Sequence, residues 1–236
     1  VTATGNAVPQ DTRPASIESI PGAARADASR HLIRILKQIH IEPDVTVEAS
    51  AGSNDTILAG IEKTARDATV VRQYYTSGLA LEIQITASML GGFLQLVLPE
   101  EIRQIPKINP APLKNPSENQ NHPVHTGLII DARGLDLKPV LNPRVISEQG
   151  HDIYSAAFIS REFAVKNGVC AYVCDMETAT AHPRIGNSPL VFKGLRMSQE
   201  HPAAVVISMP DYALLEKTTE RHTFLKECRV IIVADP

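Results

Sequence analysis

The chain has 236 residues, of which 43% are hydrophobic and only 4% are aromatic, and Trp is absent. This length fits two domains of roughly 100 residues each, with cores of aliphatic side chains. The formal net charge is −3 and the two signs are interspersed, which argues against nucleic acid or anionic lipid as the main partner. No apolar run approaches the roughly 18 residues that a membrane span requires, so no transmembrane segment is predicted.

The chain begins at Val1 without an initiator Met. We expect a processed mature form from which a signal peptide has been cleaved, with a trimmed sequence as the alternative. A lipoprotein would begin with an acylated Cys, and Val1 is not one, so we do not expect a lipid anchor.

The first hundred residues predict a strand, a helix, a short strand at 45–47, a second helix and a hairpin. The first helix starts near Ser19 and the second is capped by Asn54 or Asp55. Residues 79–86 alternate apolar and polar side chains and follow the strand 70–75 across a short turn, which is typical of an antiparallel hairpin. The buried stripes of the two helices are predicted to be Ala24, Ala28, Leu32, Ile35, Leu36 and Ile39 in the first, and Ile57, Ile61, Ala65 and Ala68 in the second.

A boundary follows this part of the chain. Residues 106–116 carry four Pro, and residues 117–123 are polar apart from Pro123. Such a segment can neither complete a sheet ladder nor bury a face. The predicted organisation is therefore a first domain at 1–105, a Pro-rich linker at 106–123 and a second domain at 124–236.

The second domain is predicted to contain both strands and helices. The strands are expected at 126–133, 140–146, 151–155, 190–197, 204–209 and 229–233, with a helix within 161–180 and another from Pro210, in which Leu214, Thr218 and Leu225 point inward. The last strand, helix and strand favour a right-handed crossover and a parallel pair. The predicted fold class is α+β: two small two-layer α/β domains, the first an antiparallel sheet with two helices on one face, the second a mixed sheet ending in a strand–helix–strand unit.

Three Cys residues, Cys170, Cys174 and Cys228, are too few for a disulfide scaffold and fit no zinc pattern. Cys170 and Cys174 are four apart on a predicted helix, where buried thiols behave as small hydrophobic groups. A disulfide from one of them to Cys228 is one alternative, and a reactive or metal-binding thiol is another.

Asp131 and Arg133 point to the same side of a predicted strand. They form either a binding pair on a sheet face or a structural ion pair that holds the following turn. His122 and His125 are three apart in a polar segment without an acidic companion, so we expect solvated loop histidines. The chain contains no GxxxxGK[ST], GxGxxG or GxSxG motif. No catalytic residue, cofactor-binding residue or metal ligand is therefore predicted.

Several segments of the first domain carry a resemblance to known proteins. They are Ala3-Thr4-Gly5, the run from Ala23 to Ala28 leading into Arg30-His31-Leu32, the helix end at Ile39 to Ile41, the run from Gly78 to Ile83, and Leu94 to Pro99. Because of these segments, residues 1–99 resemble the repeat-like domain of bacterial outer-membrane lipoproteins and flagellar assembly proteins of the FlgT/FlgP kind. Residues 127–153, with Asp131-Ala132-Arg133-Gly134-Leu135 and the segment 138–143, look like a segment that follows this domain in uncharacterised exported proteins.

The resemblance implies a periplasmic or outer-membrane-associated protein that forms rings or other repeated assemblies, and it supplies no catalytic residues. We therefore expect a non-catalytic structural or assembly protein of the bacterial cell envelope, without a cofactor. Its partners would be further copies of itself and other envelope proteins, in connection with flagellar or secretion machinery. A monomeric periplasmic binding or adaptor module is the alternative, and an enzyme is the third hypothesis.

Overall fold

The computed structural model describes residues 1–9, 18–52, 54–76, 80–100, 102, 124–201, 204–218 and 221–236. The chain divides into an N-terminal unit, Val1–Val97, and a C-terminal unit, Leu98–Pro236. The predicted linker, 106–123, lies outside the described residues, so its boundaries stay a prediction.

The N-terminal unit combines a small antiparallel sheet with helices. Its strands are β1 (Thr2–Ala7), β2 (His40–Glu42), β3 (Val45–Thr46), β4 (Thr69–Tyr75) and β5 (Leu81–Thr86). Its helices are α1 (Ile20–Gln38), α2 (Val47–Ala51), α3 (Asp55–Arg66) and α4 (Gly92–Val97). The sheet has the order β1–β5–β4, and β2 and β3 form a separate two-stranded ladder.

The core of this unit lies between α1 and the sheet. Helix α1 packs on β1 and β5, while α3 packs against α1 and α4. The predicted alternation is confirmed for β5, because Leu81, Ile83 and Ile85 are buried, whereas Leu79 lies outside the described residues. Gly5 of β1 allows a very close approach: a Cβ built there would lie 2.0 Å from the main-chain nitrogen of Ala28 in α1.

Two local features of the N-terminal unit depend on capping side chains. Of the two predicted caps, Asn54 is the one that caps α3, since its side-chain oxygen accepts a hydrogen bond from the N–H of Thr56 at 2.9 Å. The strand predicted at 45–47 is one residue too long, because Val47 begins α2. Thr46 ends the strand by capping this helix, its hydroxyl accepting from the N–H of Ala49 at 3.2 Å.

The C-terminal unit is built on a seven-stranded mixed sheet. Its strands are β6 (Gly127–Asp131), β7 (Arg144–Ser147), β8 (Asp152–Tyr154), β9 (Ala171–Val173), β10 (Pro189–Met197), β11 (Ala204–Ile207) and β12 (Val230–Val233). Its helices are α5 (Arg161–Asn167), α6 (Met176–Ala181), α7 (Met209–Lys217) and α8 (Arg221–Lys226), with 3-10 turns at Ala156–Phe158 and Pro183–Ile185. The order is β8–β7–β11–β10–β6–β12–β9. The predicted fold class, two α/β units with an antiparallel and a mixed sheet, is confirmed.

The centre of the larger sheet is apolar on both faces. The four residues of β12, Val230–Val233, are fully buried between β6 and β9, and β12 is parallel to both neighbours. Such continuous apolar runs are typical of central parallel strands. The predicted parallel pairing of the last two strands is wrong: β10 and β6 lie between β11 and β12, and β11 is antiparallel to β10. Strand β12 pairs instead with β6 and β9 in the centre of the sheet, where both of its faces are buried.

Two further predictions for the C-terminal unit are wrong. The segment that carries Cys170 and Cys174 is not helical, because β9 lies between them and pairs with β12. Leu214 of α7 is 48% exposed, and the adjacent Leu215 is the buried residue. Of the helices in the described part of the chain, none has the length and apolar character needed to cross a membrane.

Candidate interaction site

One outer edge of the N-terminal sheet is β1, and side chains of α1 cover it. The N–H of Asn6 donates to the Asp27 carboxylate at 3.0 Å, and the carbonyl oxygen of Thr4 lies 2.7 Å from Nδ1 of His31. The hydrogen bond from Asn6, followed by that from Arg30, lowers the pKa of Asp27 below its ordinary value. Outward main-chain groups of β1 therefore already have partners, which protects this edge from pairing with another strand.

The opposite edge of the same sheet is β4, and no other described element covers it. All seven residues from Thr69 to Tyr75 are exposed, with Val71 at 54% and Tyr75 at 56%. A register shift between Val70 and Arg72 forms a bulge. Within the described residues, no group outside β5 hydrogen-bonds to the main chain of β4. An exposed edge with β-branched and aromatic side chains is a template for pairing with another chain.

The sequence predicted this strand but not its exposure. Residues 70–75 read Val-Val-Arg-Gln-Tyr-Tyr, without the apolar–polar alternation of a strand that buries one face. The exposure of β4 could be predicted from this missing alternation together with the large side chains on both faces of the strand. The identity of the edge strand depends on the long-range pairing of β1 with β5.

Asp131 is the last residue of β6, and Arg133 lies in the turn that follows, so the prediction that both lie on one strand is wrong. The two side chains bind each other. The Arg133 guanidinium donates to both carboxylate oxygens of Asp131, at 2.8 and 2.7 Å. This contact lowers the pKa of Asp131 below its ordinary value. The following Gly134 N–H donates to the Asp235 carboxylate at 2.7 Å. The geometry is that of an ion pair beside a turn, and a binding role for the pair stays a prediction.

The three cysteines are free thiols in different environments. Cys228 is buried, Cys170 is partly buried and Cys174 is exposed. Burial raises the pKa of both Cys170 and Cys228 to about 12, so these thiols are poor nucleophiles near neutral pH. The disulfide to Cys228, one of the alternatives for these thiols, is not tested by this arrangement.

A cleft of about 460 Å³ lies within the N-terminal unit, between α3, α4 and the ends of β4 and β5. It combines opposite charges, hydroxyl groups and apolar side chains. Its lining includes Lys63, Asp67, Thr86, Ser88, Phe93 and Leu96. Volumes of this order are typical of small-molecule sites, so the cleft is a second candidate for binding.

The predicted histidine pair falls partly outside the described residues, because His122 is not among them. His125 is partly buried, and its Nδ1 has no hydrogen-bond partner in the part of the chain that the structure describes. Among the described residues, no group of three or more His, Cys, Asp or Glu side chains is arranged to hold a metal ion.

Comparison with known families gives a match for the C-terminal unit. Residues 127–236, just under half of the chain, match the family described as the second domain of Treponema pallidum Tp0624. No curated protein matches the chain. The matched residues lie outside the N-terminal unit, for which the FlgT/FlgP resemblance stays a prediction. From Gly127 onward, the chain is similar to a domain that comes second in another bacterial protein.

Proposed function

We propose that the chain is a non-catalytic assembly protein of the bacterial cell envelope, exported to the periplasm or the outer membrane. In this proposal it forms homo-oligomeric or ring-like assemblies in connection with flagellar or secretion machinery. The observation that carries the proposal is the uncovered edge strand β4. A strand edge binds a partner through main-chain hydrogen bonds and so requires no catalytic constellation. The envelope location is supported by the resemblance of residues 1–99 to FlgT/FlgP-type proteins.

The edge is suited to association because of the side chains beside it. Tyr74 and Tyr75 are both exposed, and Tyr is enriched among the residues that dominate binding energy at interfaces. The other edge, β1, is closed by Asp27 and His31. Association would therefore use one defined side of the sheet.

Sedimentation equilibrium of the purified full chain tests self-association. We expect a mass that rises from monomer to oligomer, with a dissociation constant on the order of micromolar for a small interface. A strict monomer at all concentrations would contradict the assembly function. Cell fractionation of the untruncated natural protein tests the location, and recovery in the cytoplasm would contradict the envelope assignment.

A monomeric binding or adaptor module is the second candidate, and the cleft in the N-terminal unit favours it. Lys63 and Asp67 place opposite charges beside hydroxyl groups and the apolar side chain of Leu96, a lining that suits a small polar or zwitterionic molecule. A ligand present at 100 times its dissociation constant stabilises a protein by about 2.7 kcal/mol.

Thermal-shift measurements with a panel of sugars, amino acids and small organic anions test the second candidate. We expect a ligand that raises the Tm of the natural protein and has no effect on Lys63→Gln. The matched control is Lys193→Gln, which changes an exposed Lys of the C-terminal unit. A panel without any shift would remove the reason for this candidate.

A further inference from the structure

We infer that β4 pairs antiparallel with β4 of a second copy of this chain, with Gln73 of both copies at the two-fold axis. This inference rests on the self-association proposed above and specifies its interface. It follows from the direction of the main-chain groups of β4, the symmetry of a strand pair and the charges beside the strand.

The hairpin fixes which residues of β4 face outward. The N–H of Thr76 donates to the carbonyl oxygen of Ala80 at 2.8 Å. Since hydrogen-bonded and non-hydrogen-bonded pairs alternate along an antiparallel ladder, Tyr74 and Arg72 also direct their main-chain groups to β5. The N–H and C=O groups of Gln73 and Tyr75 therefore point to the free edge.

Symmetry limits the registers that two copies can adopt. A two-fold axis perpendicular to the sheet keeps each face on its own side. Because opposed residues of an antiparallel pair share a face, one residue of β4 must lie opposite its own copy. With Gln73 on the axis, its outward groups meet in a hydrogen-bonded pair. Each copy then donates one Gln73 N–H and accepts one through the Gln73 carbonyl oxygen.

Charge favours this register over the neighbouring one centred on Arg72. Tyr74 and Arg72 are paired with Glu82 and Gln84 of β5. All four side chains therefore lie on the outer face of the sheet, opposite to the face that buries Leu81, Ile83 and Ile85. The Tyr74 hydroxyl donates to the Glu82 carboxylate. With Gln73 on the axis, Arg72 of each copy lies opposite Tyr74 of the other and close to its Glu82. A register centred on Arg72 would instead place two guanidinium groups face to face, which is destabilising.

The same charges favour a second copy over an unrelated strand. The hairpin β4–β5 carries both the cation and the anion that the pairing requires, and the two-fold axis brings them together twice. Arg72 gains a contact with the Tyr74 ring as well as with the carboxylate. The bulge between Val70 and Arg72 ends the regular ladder on one side, so the regular pairing spans Arg72–Tyr74 of both copies, with Gln73 at its centre.

Cysteine crosslinking tests the register directly. In the full chain with Cys174→Ser, which removes the exposed thiol, Gln73→Cys should form a disulfide-linked dimer under mild oxidation. The two Cα atoms would lie about 5.5 Å apart, within the range of roughly 4.4–6.8 Å that a disulfide accepts. Tyr75→Cys is the matched control, because its two copies would be about 13 Å apart.

Charge reversal tests the contact without crosslinking. Arg72→Glu should weaken self-association at least tenfold, and the double variant Arg72→Glu/Glu82→Arg should restore it. Arg196→Glu, an exposed strand arginine of the C-terminal unit, should have no effect. Circular dichroism checks that every variant retains its fold.

The outcomes separate the two proposals. A natural protein that stays monomeric overturns the assembly function together with this inference. A natural protein that associates, but whose Gln73→Cys variant does not crosslink and whose Arg72→Glu variant associates normally, overturns the β4 interface alone. Crosslinking at Gln73 but not at Tyr75, with rescue by the charge swap, supports both.

Discussion

Gly5 is the position in the N-terminal unit where one added methyl group should have the largest effect. In Gly5→Ala the new Cβ would lie 2.0 Å from the nitrogen of Ala28, 2.4 Å from the carbonyl oxygen of Ala24 and 2.6 Å from the Cα of Ala28. All three are main-chain atoms of α1, so no side-chain rotation relieves the clash. The helix must move away from β1 by roughly 1.5 Å to restore ordinary contact distances of about 3.5 Å.

The loss of stability comes from the packing contacts between α1 and β1 that this movement separates. Ala24, Ala28 and Leu32 are fully buried along the contact, and a gap of about 1 Å already removes up to half of the dispersion attraction across it. Overpacking a core costs about 1–3 kcal/mol and occasionally more, and a clash with main-chain atoms belongs at the upper end. We therefore expect Gly5→Ala to lower the free energy of unfolding of the N-terminal unit by about 3 kcal/mol. For a unit of this size, that lowers Tm by about 12–24 °C.

Differential scanning calorimetry of the full chain measures this effect, with the transition of the C-terminal unit as an internal reference. The matched control is Gly22→Ala in α1, where an added Cβ meets no atom within 4 Å. Because Ala is a better helix former than Gly, this change should raise stability by about 0.5–1 kcal/mol. An unchanged Tm for Gly5→Ala, or equal shifts for the two variants, would refute the close contact between β1 and α1.

Arg184→Ala should destabilise the C-terminal unit by about 2–4 kcal/mol in urea titrations, since its guanidinium donates to three main-chain carbonyl groups; a loss below 0.5 kcal/mol would contradict that role. Tyr154→Phe should cost about 1–2 kcal/mol, because the fully buried hydroxyl donates to a main-chain carbonyl oxygen at 2.6 Å, and an unchanged urea midpoint would count against this bond. A maleimide reagent at neutral pH should label Cys174 rapidly, and label Cys170 and Cys228 only after unfolding, because burial raises the pKa of both to about 12. Mass spectrometry that finds all three labelled equally fast would refute this protection.

The parts of the fold that the sequence predicts well are those where each element buries one face. The buried Ala24, Ala28, Leu32 and Leu36 of α1 and the alternation of β5 are visible because one side of each element must be apolar. The prediction of Ile35 in the same stripe is wrong, because this residue is 37% exposed at the edge of that face. The Asn54 cap is equally local, since it depends on residues two apart. These features require no knowledge of which other elements pack against them.

The parts that fail depend on partners far away in the chain. Strand β9 has only three residues, too few to show the two-residue period of a strand. Cys170 and Cys174, which flank it, are four apart, a spacing that also places two residues on one face of a helix. Its strand conformation comes from pairing with β12. Leu214 was predicted to be buried in place of Leu215 for a similar reason. The core against which α7 packs determines which of these two adjacent Leu residues is buried.

The two edges of the N-terminal sheet would limit the assemblies that the proposed self-association can produce. Through Asp27 and His31, α1 satisfies main-chain groups of β1, whereas among the described residues β4 has only β5 as a sheet neighbour. A sheet with two open edges would add copies head to tail without limit, as fibres do. With one open edge, the proposed isologous pairing through β4 would close at two copies. A ring would therefore consist of such dimers joined through a second, different surface, and the covered edge of β1 prevents the sheet itself from continuing.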